Sequence, residues 1–275
     1  MLGAGLLGAS LLMAAKKRGL CGRAVVWSPS CGTRQKARKQ SWCDFVFDSP
    51  ADAVKEADLV VACAPVQAII PLLEQIAPSV PPKTLVTDVG SVKEAICLAG
   101  NRTLPGQFIG SHPMAGSEKN GLDAASDSLF EGHPCFLAAC DLVPKASLER
   151  LSDFWTNLGM RVETVDPKTH DQIVARVSHL PHAVANALCA TLARNHPQWK
   201  QFSGNGLRDT TRIAASDSEL WTQIFAQNKE ALLKALDDFS ETFAQLRQAV
   251  ASDDAPAVKR FLAQASDYRS HWTKN

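Results

Sequence analysis

No two cysteines in the 275-residue chain are spaced C-x-x-C, although there are eight of them: Cys21, Cys31, Cys43, Cys63, Cys97, Cys135, Cys140 and Cys189. That absence removes the usual spacing of a zinc site, and the irregular scatter gives no disulfide framework. Several lie in apolar runs, as Cys63 does within residues 59–64, and read as reduced, buried thiols of a cytoplasmic protein with no bound metal. No apolar run approaches the roughly 18 residues of a membrane span, because Gln67, Pro71 and Glu74 break the best candidate. The apolar segment 1–15 lacks the leading positive charge of a secretory signal; its basic residues, Lys16, Lys17 and Arg18, come after it. With a net charge of +1 there is no overall attraction to nucleic acid or acidic membranes, and the basic cluster at 34–39 reads as a solvated helix face. The expected partner is a small molecule.

What is present begins with length. A chain of 275 residues exceeds the usual single domain, so two domains are expected. The stretch Gly110-Ser111-His112-Pro113-Met114-Ala115-Gly116-Ser117-Glu118-Lys119-Asn120-Gly121 is polar and glycine-rich between strand-like runs, and reads as a site loop outside the core. His112 is its one side chain that exchanges a proton near neutral pH, and Pro113 biases it toward extended backbone.

In the first half, Gly3-Ala4-Gly5-Leu6-Leu7-Gly8 fits G-x-G-x-x-G and runs into a helical segment over 9–17. Such glycines permit a tight turn and close backbone approach, and the helix N-terminus offers free N–H groups to a pyrophosphate. Only Met1 and Leu2 stand where the central strand belongs, so that strand is either badly shortened or supplied by residues outside this numbering. Downstream, strands expected at 24–27, 44–47, 58–64, 84–89, 107–110, 135–139 and 160–165 alternate with helices at 33–40, from Ser49-Pro50, at 66–76, from Gly90-Ser91 through Leu98, and at 145–158. That alternation predicts an α/β, Rossmann-type doubly wound nucleotide-binding domain over 1–166. Cofactor contacts are expected from Gly3, Gly5, Leu6, Leu7 and Gly8, and from Ala64 and Pro65 at a strand's carboxyl end. Where an NAD site usually has an acid after the second strand, this chain has Trp27-Ser28-Pro29-Ser30. Ser28, Ser30, Thr33 and Arg34 are suited to a 2′-phosphate, so NADP is favoured over NAD.

From Lys168 the pattern is helical, and 167–275 is expected to form an all-helical C-terminal domain for substrate binding and dimerisation. A helix from His170-Asp171 to about Arg194 should kink at Ser178-His179-Leu180-Pro181-His182, since Pro181 has no N–H to donate. Arg208 and Arg212 stand at i, i+4 after a glycine turn, on one expected helical face suited to a carboxylate. The stripe Leu232, Leu236, Phe239, Phe243, Leu246 and Val250 serves either the domain interior or a second subunit.

The glycine motif, Asp88-Val89-Gly90-Ser91-Val92-Lys93, the His112 stretch, Ser178 to His182 and Arg208-Asp209-Thr210-Thr211-Arg212, in this order, resemble the prephenate/arogenate dehydrogenases of tyrosine biosynthesis. The resemblance covers nearly the whole chain. It implies an NAD(P)-dependent enzyme that oxidatively decarboxylates prephenate to 4-hydroxyphenylpyruvate or arogenate to tyrosine, working as a homodimer. His112 would be the base, and Ser91 would orient substrate and nicotinamide. Arg212 would bind the substrate carboxylate, His182 would line the pocket, Ser117 and Glu118 would lie at its rim, and Arg208, from helical spacing, would add a second cation. Glu118 opposite an ammonium would favour arogenate, but it serves equally as an ordinary hydrogen-bond partner. The rival readings are another two-domain NAD(P)-dependent hydroxyacid dehydrogenase, which typically relies on a lysine in its helical domain, and a non-catalytic dinucleotide-binding sensor. The joint presence of Ser91, His112 and Arg212 weighs against the sensor.

Overall fold

Val60 and Ala62 pack on one face of a sheet and Val61 on the other, and Phe108 and Ile109 divide in the same way. This two-residue alternation places apolar side chains on both faces, as a sheet covered by helices on both sides requires. The computed structural model describes residues 1–116, 121–140 and 142–272.

The elements run α1 (Leu6–Lys17), β1 (Val25–Val26), α2 (Cys31–Ala37), β2 (Phe45–Val46), α3 (Pro50–Val54), β3 (Leu59–Ala62), α4 (Val66–Ile76), β4 (Leu85–Asp88), α5 (Glu94–Thr103), β5 (Phe108–Pro113), β6 (Pro134–Ala138), α6 (Lys145–Asn157) and β7 (Arg161–Val165). Strands β3 to β7 lie side by side in chain order, and β1 pairs with β2. Leu2 joins the two sets by bridging Trp27 on one side and Ala62 on the other, both parallel. Its N–H donates to the Val61 carbonyl at 2.9 Å and its carbonyl accepts the Cys63 N–H at 2.7 Å. Leu2 thus occupies the central strand position. The Met1 nitrogen donates to the Val25 carbonyl at 2.8 Å.

Two departures from expectation shape the site. First, β5 does not end at Gly110 but continues through Ser111, His112 and Pro113, paired antiparallel with β6 (Ser111 opposite Leu137, His112 opposite Phe136). The polar residues 110–113 are therefore core strand and not part of a loop. The ladder to β6 satisfies their backbone, and side-chain partners satisfy Ser111 and His112, so their polarity does not require solvent. Second, β6 and β7 run parallel to each other but opposite to β3, β4 and β5, making the sheet mixed.

Beyond β7, the Asp166 side chain accepts the Thr169 N–H at 2.9 Å and caps α7 (Pro167–Val174), which starts before the expected His170. A π-helical turn over Ala175–His179 leads into α8 (Leu180–Asn195). Pro181 falls in the first turn of α8, where a missing N–H costs least, and the expected kink takes the form of that π turn. Then come α9 (Asn205–Thr211) and α10 (Ser218–Gln227). The sheet ends at Val165, but α7 packs on α5 and α10 on α4, so the first compact unit is Met1–Asn228. The second unit, Lys229–Asn275, contains α11 (Lys229–Ala251) and α12 (Ala255–Ser270), packed against each other. No helix among the described residues is long and apolar enough to cross a membrane.

Candidate active site

The glycine turn fulfils three separate steric demands. Gly3 has φ +108°, and a Cβ there would stand 2.1 Å from the Cys63 carbonyl oxygen; one on Gly8 would stand 1.9 Å from the Gly3 carbonyl oxygen. These two residues let the turn pack on β3 and α1 pack on the turn. Gly5, the N-cap of α1, faces open space with nothing within 4 Å of a built Cβ, and no side chain caps the helix. Leu6 and Leu7 begin α1 after Leu2, and Ala64 and Pro65 follow β3, which runs parallel to Leu2, so both stretches lie beyond the carboxyl ends of their strands. This geometry fits the pyrophosphate of a dinucleotide.

At the end of β1, Ser28 is buried and Ser30 caps α2 by accepting the Thr33 N–H at 3.2 Å. Arg34 donates to the Ser28 carbonyl at 2.6 Å and forms an ion pair with Asp48 at 2.9 Å, which Arg38 joins at 3.2 Å. Asp48 therefore shares both arginines. Sequence reasoning misses this acid, which comes after β2 and lies outside the β1 segment where a ribose-binding acid usually stands.

Ser111 and His112 project to opposite sides of β5. The Ser111 hydroxyl meets Thr87 Oγ1 at 2.7 Å and accepts the Trp155 indole N–H at 3.0 Å, while its backbone N–H donates to Asp88 Oδ1 at 3.1 Å. Asp88 Oδ2 accepts the Gly90 N–H at 2.8 Å and pairs with Lys93 Nζ. Both side chains of that ion pair are fully buried, and removing one partner of such a pair costs about 3–5 kcal/mol. The pair braces residues 89–93, which carry Ser91, half-buried beyond the end of β4.

On the other side, His112 Nδ1 lies 2.9 Å from His170 Nε2, and His170 Nδ1 lies 2.7 Å from Asp171 Oδ1. Asp171 Oδ1 also accepts the Lys93 N–H at 2.7 Å, and Oδ2 the Glu94 N–H at 3.0 Å, so this carboxylate caps α5 from α7. Asn228 Nδ2 donates to the Asp171 carbonyl at 2.8 Å and to His179 Nδ1 at 3.1 Å. Burial, then the neighbouring His170, Lys93 and His179, hold the His112 pKa well below its ordinary value of 6.5. Burial also lowers His170, opposed by its bond to Asp171.

His182 stacks on Trp221 with ring centroids 3.4 Å apart, and its buried Nδ1 has no hydrogen-bond partner among the described residues. Burial and then the charge of Arg212 lower its pKa to about 4. The histidines and Arg212 thus form one neighbourhood, linked through Trp221, whose ring also meets His179. Arg212 and Arg208 do not share one α-helix as expected: α9 ends at Thr211 (φ −105°, ψ 0°), and Arg212 opens a 3-10 turn. Ser117 and Glu118 lie outside the described residues. A cavity of about 940 Å³, lined by Met1, Val25, Leu59 and Phe154 among others, opens by the starts of β1 and β3, at the end of the sheet away from this site.

A sequence model described as the nucleotide-binding domain of prephenate dehydrogenase matches residues 13–164, and one for its dimerization domain matches 166–264. The chain belongs to the prephenate dehydrogenase family. It is 35% identical over 274 residues to the cyclohexadienyl dehydrogenase of Zymomonas mobilis, covering 98% of this chain and 94% of that one. The structure resembles that of Aquifex aeolicus prephenate dehydrogenase in complex with hydroxyphenyl propionate and NAD+ (TM-score 0.92, 29% identity, 98% and 96% of the two chains). It also resembles Synechocystis arogenate dehydrogenase (TM-score 0.88, 32% identity, 99% and 98% covered). As a prephenate dehydrogenase family member the chain is an oxidoreductase with a Rossmann-type domain.

The depressed histidines make acid stability a test of this buried network. His179 is lowered from 6.5 to about 4 by burial, and His182 to about 4. Below pH 6.5 the unfolded chain binds more protons than the native one, so stability present above that pH is lost as pH falls toward 4. The unfolding temperature is expected to drop across this window, and less steeply in His179→Gln. A flat profile from pH 6.5 to 4 in the wild type overturns the assignment.

Proposed function

We propose that the protein catalyses the NAD(P)-dependent oxidative decarboxylation of prephenate or arogenate. The observation that carries this reading is His112: a buried imidazole kept uncharged at neutral pH, at the carboxyl end of a strand, beside Lys93, His170 and His179. Family membership supports the reaction class.

In this reading His112 accepts the proton of the substrate's 4-hydroxyl as the C4–H bond breaks. When bound, the oxidised nicotinamide supplies the acceptor for the hydride that leaves C4. Ser91 hydrogen-bonds the hydroxyl or the nicotinamide and keeps the reacting atoms in register. Arg212 holds the substrate carboxylate, with Arg208 as a second cation nearby. His182, neutral at pH 7, lines the pocket without repelling Arg212. The ring carboxylate then leaves as carbon dioxide, and its bonding electrons aromatise the ring.

NADP is the favoured cofactor in this reading. The support is the lack of an acid in Trp27 to Ser30 and the presence of Arg34 and Arg38 beside them; Asp48 is the group a 2′-phosphate must displace from those arginines. The helical residues 167–275 are proposed to bind substrate and to form a homodimer. Phe243, Val250 and Leu262 in the second unit are more than half exposed, which suits burial against a second copy.

Three measurements test these readings. Initial rates with prephenate and with arogenate, each with NAD and NADP, should show turnover of at least one substrate and a higher kcat/KM with NADP. No turnover of either removes the proposed reaction, and a clear NAD preference removes the cofactor assignment alone. His112→Asn should lower kcat by about two to four orders of magnitude with cofactor affinity retained; near-normal kcat takes His112 out of the chemistry. Sedimentation equilibrium should give a dimer, and a monomer at micromolar concentration contradicts the proposed assembly.

A further inference from the structure

His170 and Asp171 are buried directly behind His112. We propose that they form a positioning dyad that fixes the proton of neutral His112 on Nδ1 and so leaves Nε2 as the basic nitrogen facing the substrate. The proposal rests on the reading of His112 as the base.

The chain of hydrogen bonds has one fixed end. A carboxylate only accepts, and both Asp171 oxygens already accept backbone N–H groups, from Lys93 and Glu94 at the N-terminus of α5. His170 Nδ1, 2.7 Å from Asp171 Oδ1, must therefore carry a proton. With His170 neutral, its Nε2 has only a lone pair to offer. His112 Nδ1, 2.9 Å away, must then be the donor in that contact. Neutral His112 is thereby left with an unprotonated Nε2. A cationic His170 would reverse the last bond and put the His112 proton on Nε2, where it blocks the base. Burial disfavours that cation, and the ring is held edge-on against Phe136 with centroids 5.3 Å apart.

The dyad also acts during the reaction. Once His112 gains the substrate proton on Nε2, its Nδ1–H still points at His170 Nε2, and the Asp171 charge at the far end of the chain favours the imidazolium.

The decisive measurement is the tautomer of His112, read from nitrogen-15 shifts and long-range proton–nitrogen correlations in the histidine-labelled enzyme, with the His112 signals assigned by their loss in His112→Asn. The wild type should show a protonated Nδ1 and an unprotonated Nε2; a proton on Nε2 overturns the proposal, whatever the variants do. In His170→Phe, which keeps the ring volume against Phe136, the single tautomer should give way to a mixture. Its kcat, measured with whichever of prephenate and arogenate and of NAD+ and NADP+ the wild type uses best, should fall about 10–100-fold, the usual scale for losing a group that orients a reacting one, with the dissociation constant of that cofactor within about twofold of wild type. A kcat within about twofold of wild type overturns the dyad. If His112→Asn is inactive while His170→Phe is unimpaired, only the dyad fails. If His112→Asn also retains activity, the reading of His112 as the base fails with it.

Discussion

The Asp171 carboxylate accepts three hydrogen bonds, from the backbone of Lys93, the backbone of Glu94 and the ring of His170. These bonds meet two different requirements. The first two satisfy donors that the start of α5 would otherwise leave unpaired, and the third fixes an imidazole behind β5. Because Asp171 belongs to α7, the helix after the last strand must dock on α5 before the site exists. This is why the first compact unit continues through α10 and ends at Asn228, well beyond the sheet. Asn228 closes the arrangement by holding the Asp171 carbonyl and His179 with its two amide hydrogens.

Residues whose demands are local are legible in the sequence. Gly3 and Gly8 are required by contacts of the turn with itself and with β3, and α4 occupies the expected 66–76 because its apolar spacing and flanking Pro65 are self-contained. The stretch 110–113 defeats a sequence reading for the opposite reason. Its polar side chains are satisfied by Thr87, Trp155 and His170, which lie between 24 and 58 positions away, and its backbone by a strand that returns antiparallel. Polarity in a sequence signals solvent only when no distant partner exists. His170 and Asp171 carry no usable signal either: an adjacent His-Asp pair in an amphipathic helix is common, and its meaning here comes from β5 and α5. Asp48 is hidden likewise, since β2 brings it beside Arg34 only after the sheet has formed.

Burying a base has a cost that the surrounding charges offset. Desolvation weakens His112 as a proton acceptor, and Lys93, itself fully buried, weakens it further. Asp88 neutralises Lys93 directly through its ion pair. The same carboxylate holds the Ser111 and Gly90 N–H groups, so the strand end and the loop carrying Ser91 are fixed by the group that shields His112 from Lys93. Asp171 then remains as an uncompensated negative charge behind His170. In the proposed reaction the buried set therefore starts with one cation and two carboxylates, and protonation of His112 brings it to neutrality. The low dielectric that lowers the resting pKa also strengthens this compensation as the proton arrives. A histidine at the surface would be the stronger base in water, but it would lack both a fixed tautomer and an environment whose charge is completed by the proton it takes.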